Sequence, residues 1–134
     1  MLFDVDFITY RGLYRSIKTD KLNIPCIDGR RTILSNHMAI ILPIENGVIQ
    51  TSNDGVLSHY VVSEGMVYFE NNKATVICDV VEDIEKADIN YYENRIADAK
   101  NKLSVARNDA DIKKATIKLT RATNIVENAK RLKR

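Results

Sequence analysis

The chain is poor in the residues that bend or cross-link a backbone. Its 134 residues include five glycines, two prolines, two cysteines, two histidines and no tryptophan. Every glycine and proline lies between Gly12 and Gly65, and neither type recurs in the 69 residues that follow. Glycine and proline punctuate turns, so the first half turns often and the tail hardly at all. That places a boundary near residues 82–87. Cys26 and Cys78 sit in apolar, strand-like runs, and two free buried thiols are expected. A disulfide or a metal pair has no support, because His37 and His59 show no ligand spacing to the cysteines. No stretch approaches the ~18–20 apolar residues that span a bilayer, and MLFDVDF lacks the basic start and apolar run of a signal peptide. No direct membrane insertion is expected. A Gly-rich phosphate loop, HExxH and CxxC are all absent, and Ser16, Ser35, Ser52, Ser58 and Ser63 have no nucleophile-elbow context. No catalytic residue, metal or cofactor is expected.

The net charge of +2 excludes a bulk polycation but hides a split. Residues 1–84 carry 7 basic and 11 acidic side chains, and residues 85–134 carry 13 basic and 7 acidic ones. The first part is acidic and the second basic.

The two parts also differ in period. Leu2–Ile8, Leu22–Ile27, Thr32–Leu34, Met38–Ile44, Val48–Thr51, Leu57–Val62, Met66–Phe69 and Ala74–Val80 are rich in β-branched and aromatic residues. Asp28-Gly29, Glu45-Asn46-Gly47, Asn53-Asp54-Gly55, Glu64-Gly65 and Asn71-Asn72 separate them. This predicts a β-sandwich or barrel over residues 1–84. In the tail, Ile89, Tyr92, Ile96, Ala99, Leu103 and Ala106 recur in steps of three and four. Ile112, Ala115, Leu119, Ala122, Val126 and Ala129 repeat the pattern. Each series is the seam of a helix packing on one partner. The break at Arg107–Asp111 offers Asn108 or Asp109 as a cap, and Lys130–Arg134 suits a helix C-terminus. An antiparallel helical hairpin over 85–134 follows. Its seam is rich in alanine, so little area is buried, and a hairpin stable only under some conditions stands beside one that is permanently closed.

Glu82, Asp83 and Glu85 read as the acidic start of a helix. Arg30-Arg31 forms a basic pair in a loop, either a solvated turn or a contact for an acidic surface or lipid headgroup. Lys114, Lys118 and Arg121 fall on one flank of the second helix, either solvated or facing an acidic partner. Nucleic acid is disfavoured there because no aromatic platform is interleaved with the charges.

The stretch from Gly29 to Ile41, with Ile33-Leu34 and His37, resembles the "G-x-x-x-I-L-x-x-H" stretch of the epsilon subunit of F-type ATP synthase. Leu42–Ile49 is similar to its "L-x-x-G-x-x" continuation, Tyr60–Gly65 to its "Y-x-V-S-x-G" hairpin and Asn72–Cys78 to its "N-x-V-T-V-L-A" strand. Asp111–Ala115 and Leu119–Ala122 resemble its second helix. The order of these motifs covers essentially the whole chain. The resemblance implies a ten-stranded sandwich followed by a two-helix hairpin, with no catalytic residue of its own. It implies a sandwich that grips the gamma subunit and sits on the membrane-embedded c-ring, and a hairpin that meets the beta subunits and brakes ATP hydrolysis. The setting would be cytoplasmic and peripheral to the membrane.

Carried over by position, Thr9, His37 and Leu42 would face gamma, and Arg30 and Arg31 would face the c-ring or an equivalent base. Lys114, Lys118 and Arg121 would meet the acidic segment of the beta subunits. Arg30 stands where the family commonly has an acidic residue, which reverses the charge. Asp88, Lys114 and Arg121 match positions of the family's ATP-binding motif, but Tyr91-Tyr92 replaces its Arg-Ala pair. Losing the guanidinium removes a fixed donor fork, so no tight ATP binding is expected. An epsilon-like subunit of a specialised motor that does not transport ions is the alternative reading. A free-standing module binding nucleic acid or a small ligand is a third.

Overall fold

A computed structural model of the chain describes residues 1–132; Lys133 and Arg134, the end of the expected basic helix terminus, lie outside the described residues. The chain divides into two compact units, Met1–Asp83 and Ile84–Arg134.

The first unit contains ten strands: β1 Phe3–Thr9, β2 Gly12–Thr19, β3 Lys21–Cys26, β4 Gly29–Leu34, β5 Ile40–Ile44, β6 Gly47–Asn53, β7 Val56–Val62, β8 Gly65–Glu70, β9 Lys73–Cys78 and β10 Val81–Asp83. They form two five-stranded sheets, ordered β2-β1-β9-β8-β5 and β10-β7-β6-β3-β4. We call them sheet A and sheet B. Within sheet A only β1 and β9 run parallel. The tight turns are where the dipeptides place them. Asp54 and Gly55 have φ of 52° and 79°, and Asn71 and Asn72 have 51° and 59°. Two consecutive left-handed residues match the right-handed twist of the flanking strands.

Alternation along β1, β8 and β9 fills the core from one sheet, and the other sheet closes it. Phe3, Val5 and Phe7 of β1, Val67 and Phe69 of β8 and Ala74 and Val76 of β9 point inward from sheet A. Leu22, Ile24, Ile33, Ile49 and Val62 meet them from sheet B. Phe3 stands edge-on to Phe69 at 5.3 Å, and Phe7 lies 4.6 Å from Tyr60. Each large side chain buried in this way contributes about 1.5–3 kcal/mol. Cys26 and Cys78 are both buried, and burial raises the Cys26 thiol above its ordinary value.

Two strands go beyond the runs legible in the sequence. β2 is an edge strand whose residues are mostly exposed or half-buried, so its apolar alternation is blurred. β10 has three residues, too few to show a period. It also corrects the reading of the carboxylates. Glu82 and Asp83 do not start a helix but pair in β10 with Val61 and Tyr60. Asp83 is buried and bound to Arg15 at 2.6 Å, so it is held by an ion pair and not by a helix dipole.

The second unit opens with a 3₁₀ turn, Ile84–Lys86, followed by α1 (Ile89–Val105) and α2 (Asp109–Leu132). Asp88 caps α1 by accepting from the Tyr91 amide at 3.2 Å. Asn108 accepts from the Asp111 amide at 2.9 Å and donates back to its carboxylate at 3.0 Å, a reciprocal cap. Ile89, Tyr92, Ile96, Ala99, Leu103 and Ala106 are the residues of α1 and its C-cap withdrawn from solvent. On α2, Ala115, Leu119, Ala122, Val126 and Ala129 follow the expected seam, but Ile112 is exposed. Glu93 of α1 and Lys130 of α2 form an ion pair at 3.3 Å between the two helices. Ile125 is also buried although it falls off the expected seam, one residue before Val126.

Gly65 has no room for a side chain: a Cβ there would lie 2.0 Å from the Ile77 carbonyl oxygen and 2.8 Å from Cys78 Cβ. Gly65→Ala is expected to cost more than about 3 kcal/mol, read as a lower denaturation midpoint of the sandwich. Asn108→Ala removes a cap with reciprocal bonds and is expected to cost the helical unit about 1 kcal/mol, read by circular dichroism on heating.

Candidate functional site

The inward side of sheet A builds the core; its outward side is the unusual one. Register places Leu13 opposite Ile8, Ile8 opposite Ile77, Ile77 opposite Met66 and Met66 opposite Pro43. The result is one unbroken apolar row across all five strands, about 19 Å long at ~4.8 Å per strand. In the next row, Tyr68 stands opposite Ile41 and widens it. Leu13 is 62% exposed, Ile77 50%, Met66 47%, Tyr68 47% and Ile41 55%. Outward positions of an antiparallel sheet are ordinarily polar, and a contiguous apolar patch of this kind marks an interaction surface.

Toward the other end of the same face the charges of β1, β2 and β9 pair with one another. Lys18 pairs with Asp4 at 2.8 Å and Lys73 with Asp6 at 3.0 Å. The Ser16 hydroxyl donates to Asp6 at 2.6 Å, and together with Lys73 it holds the Asp6 carboxyl below the usual carboxylate range.

The three residues expected to face one partner do not converge. Thr9 ends β1 opposite Gly12, at the end of the sheet that carries the apolar row. His37 lies in the β4–β5 connection at the other end, edge-on to Phe69 at 6.0 Å, with Nδ1 2.7 Å from the Met38 carbonyl oxygen. The length of β1 separates the two ends, about 20 Å at ~3.3 Å per residue. Leu42 points into the core and is 9% exposed, so it offers no outward contact. Its neighbours Ile41 and Pro43 take the outward positions because side chains alternate along β5. The outward residues Ile8, Leu13, Ile41, Pro43, Met66, Tyr68 and Ile77 had a signal in the sequence: apolar side chains at both parities of their strands.

Arg30 and Arg31 belong to β4 and not to a loop. The Arg30 guanidinium lies over sheet B, donating to the Asn23 side chain and, at 2.5 Å, to the Val48 carbonyl. Arg31 pairs with Asp28 across the turn at 2.7 Å, which raises the guanidinium and lowers the carboxyl. The pair does not project two unmatched charges.

On α2, Lys113, Lys114 and Lys118 are exposed and make no ion pair among the described residues, while Arg121 is half-buried. Asp88 spends its carboxylate on the α1 cap. Lys114 and Arg121 are seven residues apart on α2, about 10 Å along the helix at 1.5 Å per residue. Beside Asp88, Tyr91 and Tyr92 stack edge-on at 5.0 Å, and Arg95 donates to the Tyr91 hydroxyl at 3.1 Å. Among the described residues no cluster of His, Cys, Asp or Glu has the geometry to hold a metal ion. No helix among them is long and apolar enough to cross a membrane.

Fold and surface thus define a class: a ten-stranded β-sandwich with one apolar outer sheet face, followed by a two-helix hairpin. Residues 2–84 match the family described as the beta-sandwich domain of the ATP synthase delta/epsilon chain. The chain belongs to that family. It is 32% identical over 130 residues to the ATP synthase epsilon chain of Lactobacillus delbrueckii subsp. bulgaricus, covering 92% of this chain and 89% of that one. The epsilon chain of Lactobacillus helveticus is 30% identical over the same coverage. Among solved structures, a chain of the Euglena gracilis mitochondrial ATP synthase (OSCP/F1/c-ring) superposes with a TM-score of 0.65 at 16% identity, over 92% of this chain and 76% of that one. A chain of the Tetrahymena thermophila mitochondrial ATP synthase central stalk/c-ring gives 0.61 at 11% identity, over 94% and 95%. These two likenesses concern the fold.

Titrating the full chain with ATP in a calorimeter is expected to show no micromolar binding, because Asp88 is spent as a helix cap and Tyr91-Tyr92 stands where the motif needs its Arg-Ala pair. A micromolar isotherm would overturn that reading of the helical unit.

Proposed function

We propose that the chain is the central-stalk epsilon subunit of an F-type rotary ATPase, a non-catalytic subunit that binds gamma and couples the catalytic head to the rotor. The observation that carries this reading is the apolar row Leu13–Ile8–Ile77–Met66–Pro43 on the outer face of sheet A. A rotor stalk must be gripped without slipping. A long apolar row on a rigid sheet supplies contact area with little ordering cost, because each side chain is already fixed by its strand. Family membership supports gamma as the occupant, and the c-ring, or an equivalent base, as the surface below. That base makes the subunit peripheral to the membrane, on its cytoplasmic face.

The helical unit is the regulatory part of the same reading. Lys114 and Lys118, exposed, and the half-buried Arg121 form a basic flank of α2, which suits transient contact with an acidic segment of the beta subunits. The seam between α1 and α2 buries the alanines Ala99, Ala115, Ala122 and Ala129, so closing it contributes little and a partner can compete. A specialised motor that keeps the gamma contact but rests on a different base is favoured by one observation. Arg30, at the position expected to face the c-ring, is committed to Asn23 and Val48 instead of projecting an acidic group.

Replacing Met66 and Tyr68 together by Asp is expected to abolish capture of a co-expressed gamma subunit while leaving the melting temperature of the sandwich nearly unchanged, since both side chains already face solvent. Capture at the wild-type level would remove sheet A from the interface. Deleting residues 85–134 is expected to raise ATPase turnover of the assembled complex without releasing the sandwich; unchanged turnover would remove the regulatory role alone.

A further inference from the structure

The last strand of the sandwich is too short to hold itself. β10 pairs with β7 alone, through Val81–Val62, Glu82–Val61 and Asp83–Tyr60, and lies at the edge of sheet B. A three-residue edge strand has few ladder bonds and frays unless something else ties it down. Here both ends are tied. Upstream, the Ser63 amide donates to the Val80 carbonyl at 3.0 Å, and the Val80 amide donates to the Ser63 hydroxyl at 3.0 Å. Downstream, the tie comes from the other sheet. Arg15 of β2 donates to the Asp83 carboxylate at 2.6 Å and to the Tyr60 hydroxyl at 3.4 Å. Its guanidinium lies over the rings of Tyr14 at 5.3 Å and Tyr60 at 5.7 Å. The Tyr14 hydroxyl accepts from the Asp83 amide at 3.1 Å. The Arg15 and Asp83 side chains are only 25% and 12% exposed, so the pair is weakly screened.

The position of this cluster gives it a role. Asp83 is the last residue of the sandwich unit, and Ile84 is the first of the helical unit. We propose that Arg15, Tyr14 and Tyr60 clamp Asp83 and thereby fix the pivot of the helical unit at the Asp83–Ile84 peptide. With the clamp closed, movement of the helices begins at Ile84. With it open, β10 peels from β7 and the tether lengthens back toward Ser63's partner Val80. Three freed residues add about 10 Å of reach at ~3.3–3.6 Å each. The clamp therefore limits where the helices travel. Arg15 and Tyr14 are positioning residues; neither touches a reacting group. The consequence for helix travel rests on the regulatory reading above, whereas the clamp itself does not.

Hydrogen exchange on the isolated full chain tests the clamp without gamma or ATPase, so its failure is separate from failure of the proposed function. In Arg15→Met, the amides of β10 and the facing residues of β7 are expected to exchange about 10- to 100-fold faster, with β1 and β9 unchanged. Arg15→Lys keeps the charge but loses the planar fork, and is expected to restore part of the protection. Unchanged exchange in β10, or an equal rise throughout the sandwich, would overturn the clamp. Tyr14→Phe leaves the ion pair intact and removes only the acceptor for the Asp83 amide. It is expected to raise exchange at Asp83 by a smaller factor, and it decides the question by the same criterion if Arg15→Met does not fold.

Discussion

The two-residue period of sheet A is the constraint on which the rest depends. Because Phe3, Val5 and Phe7 fill the core from β1, its remaining side chains must face out, and so for β5, β8 and β9. The same register that closes the sandwich therefore lines up Leu13, Ile8, Ile77, Met66 and Pro43 outside it. A one-residue slip in any of these strands would break both the core and the row. Stability and the binding surface are set by one geometric choice, which makes the surface rigid without added devices.

The helical unit obeys the opposite logic. Its seam is mostly alanine, with Ile125 and Val126 the larger buried side chains, and its charged side chains are mostly solvated, so it gains less from closing than the sandwich does. What is well defined in it are the ends: Asp88 caps α1, and Asn108 with Asp111 caps α2. The helices are thus individually delimited but loosely joined, an arrangement suited to a part that changes partners. The Arg15–Asp83 pair at the close of the sandwich gives that part a fixed point of attachment.

Most of the fold was legible because it is carried by period. Eight β-rich runs, the Asp-Gly and Asn-Asn turns and the two helical seams each state their structure locally. β2 and β10 were not legible. β2 is an edge strand with a mixed pattern, and β10 is held by Ser63, Tyr14 and Arg15, which are distant in sequence. For the same reason Glu82 and Asp83 looked like a helix start, since an ion pair across 68 residues leaves no local trace. The site was less legible than the fold. Positions carried over from the family gave Leu42, but only register shows that Ile41 and Pro43, and not Leu42, face outward. Ile8, Met66, Tyr68 and Ile77 were individually ordinary apolar residues, and became a surface only once four strand pairings aligned them.

The central claim is that the outer face of sheet A is where the sandwich is gripped. The most direct measurement is a hydrogen-exchange and surface-labelling footprint of the full chain alone and bound to the gamma subunit. Labelling of Tyr68 and Met66 is expected to fall on binding, and protection to rise along β5, β8 and β9, with β3 and β4 unaffected. Protection confined to sheet B, with Tyr68 and Met66 still labelled in the complex, would contradict it.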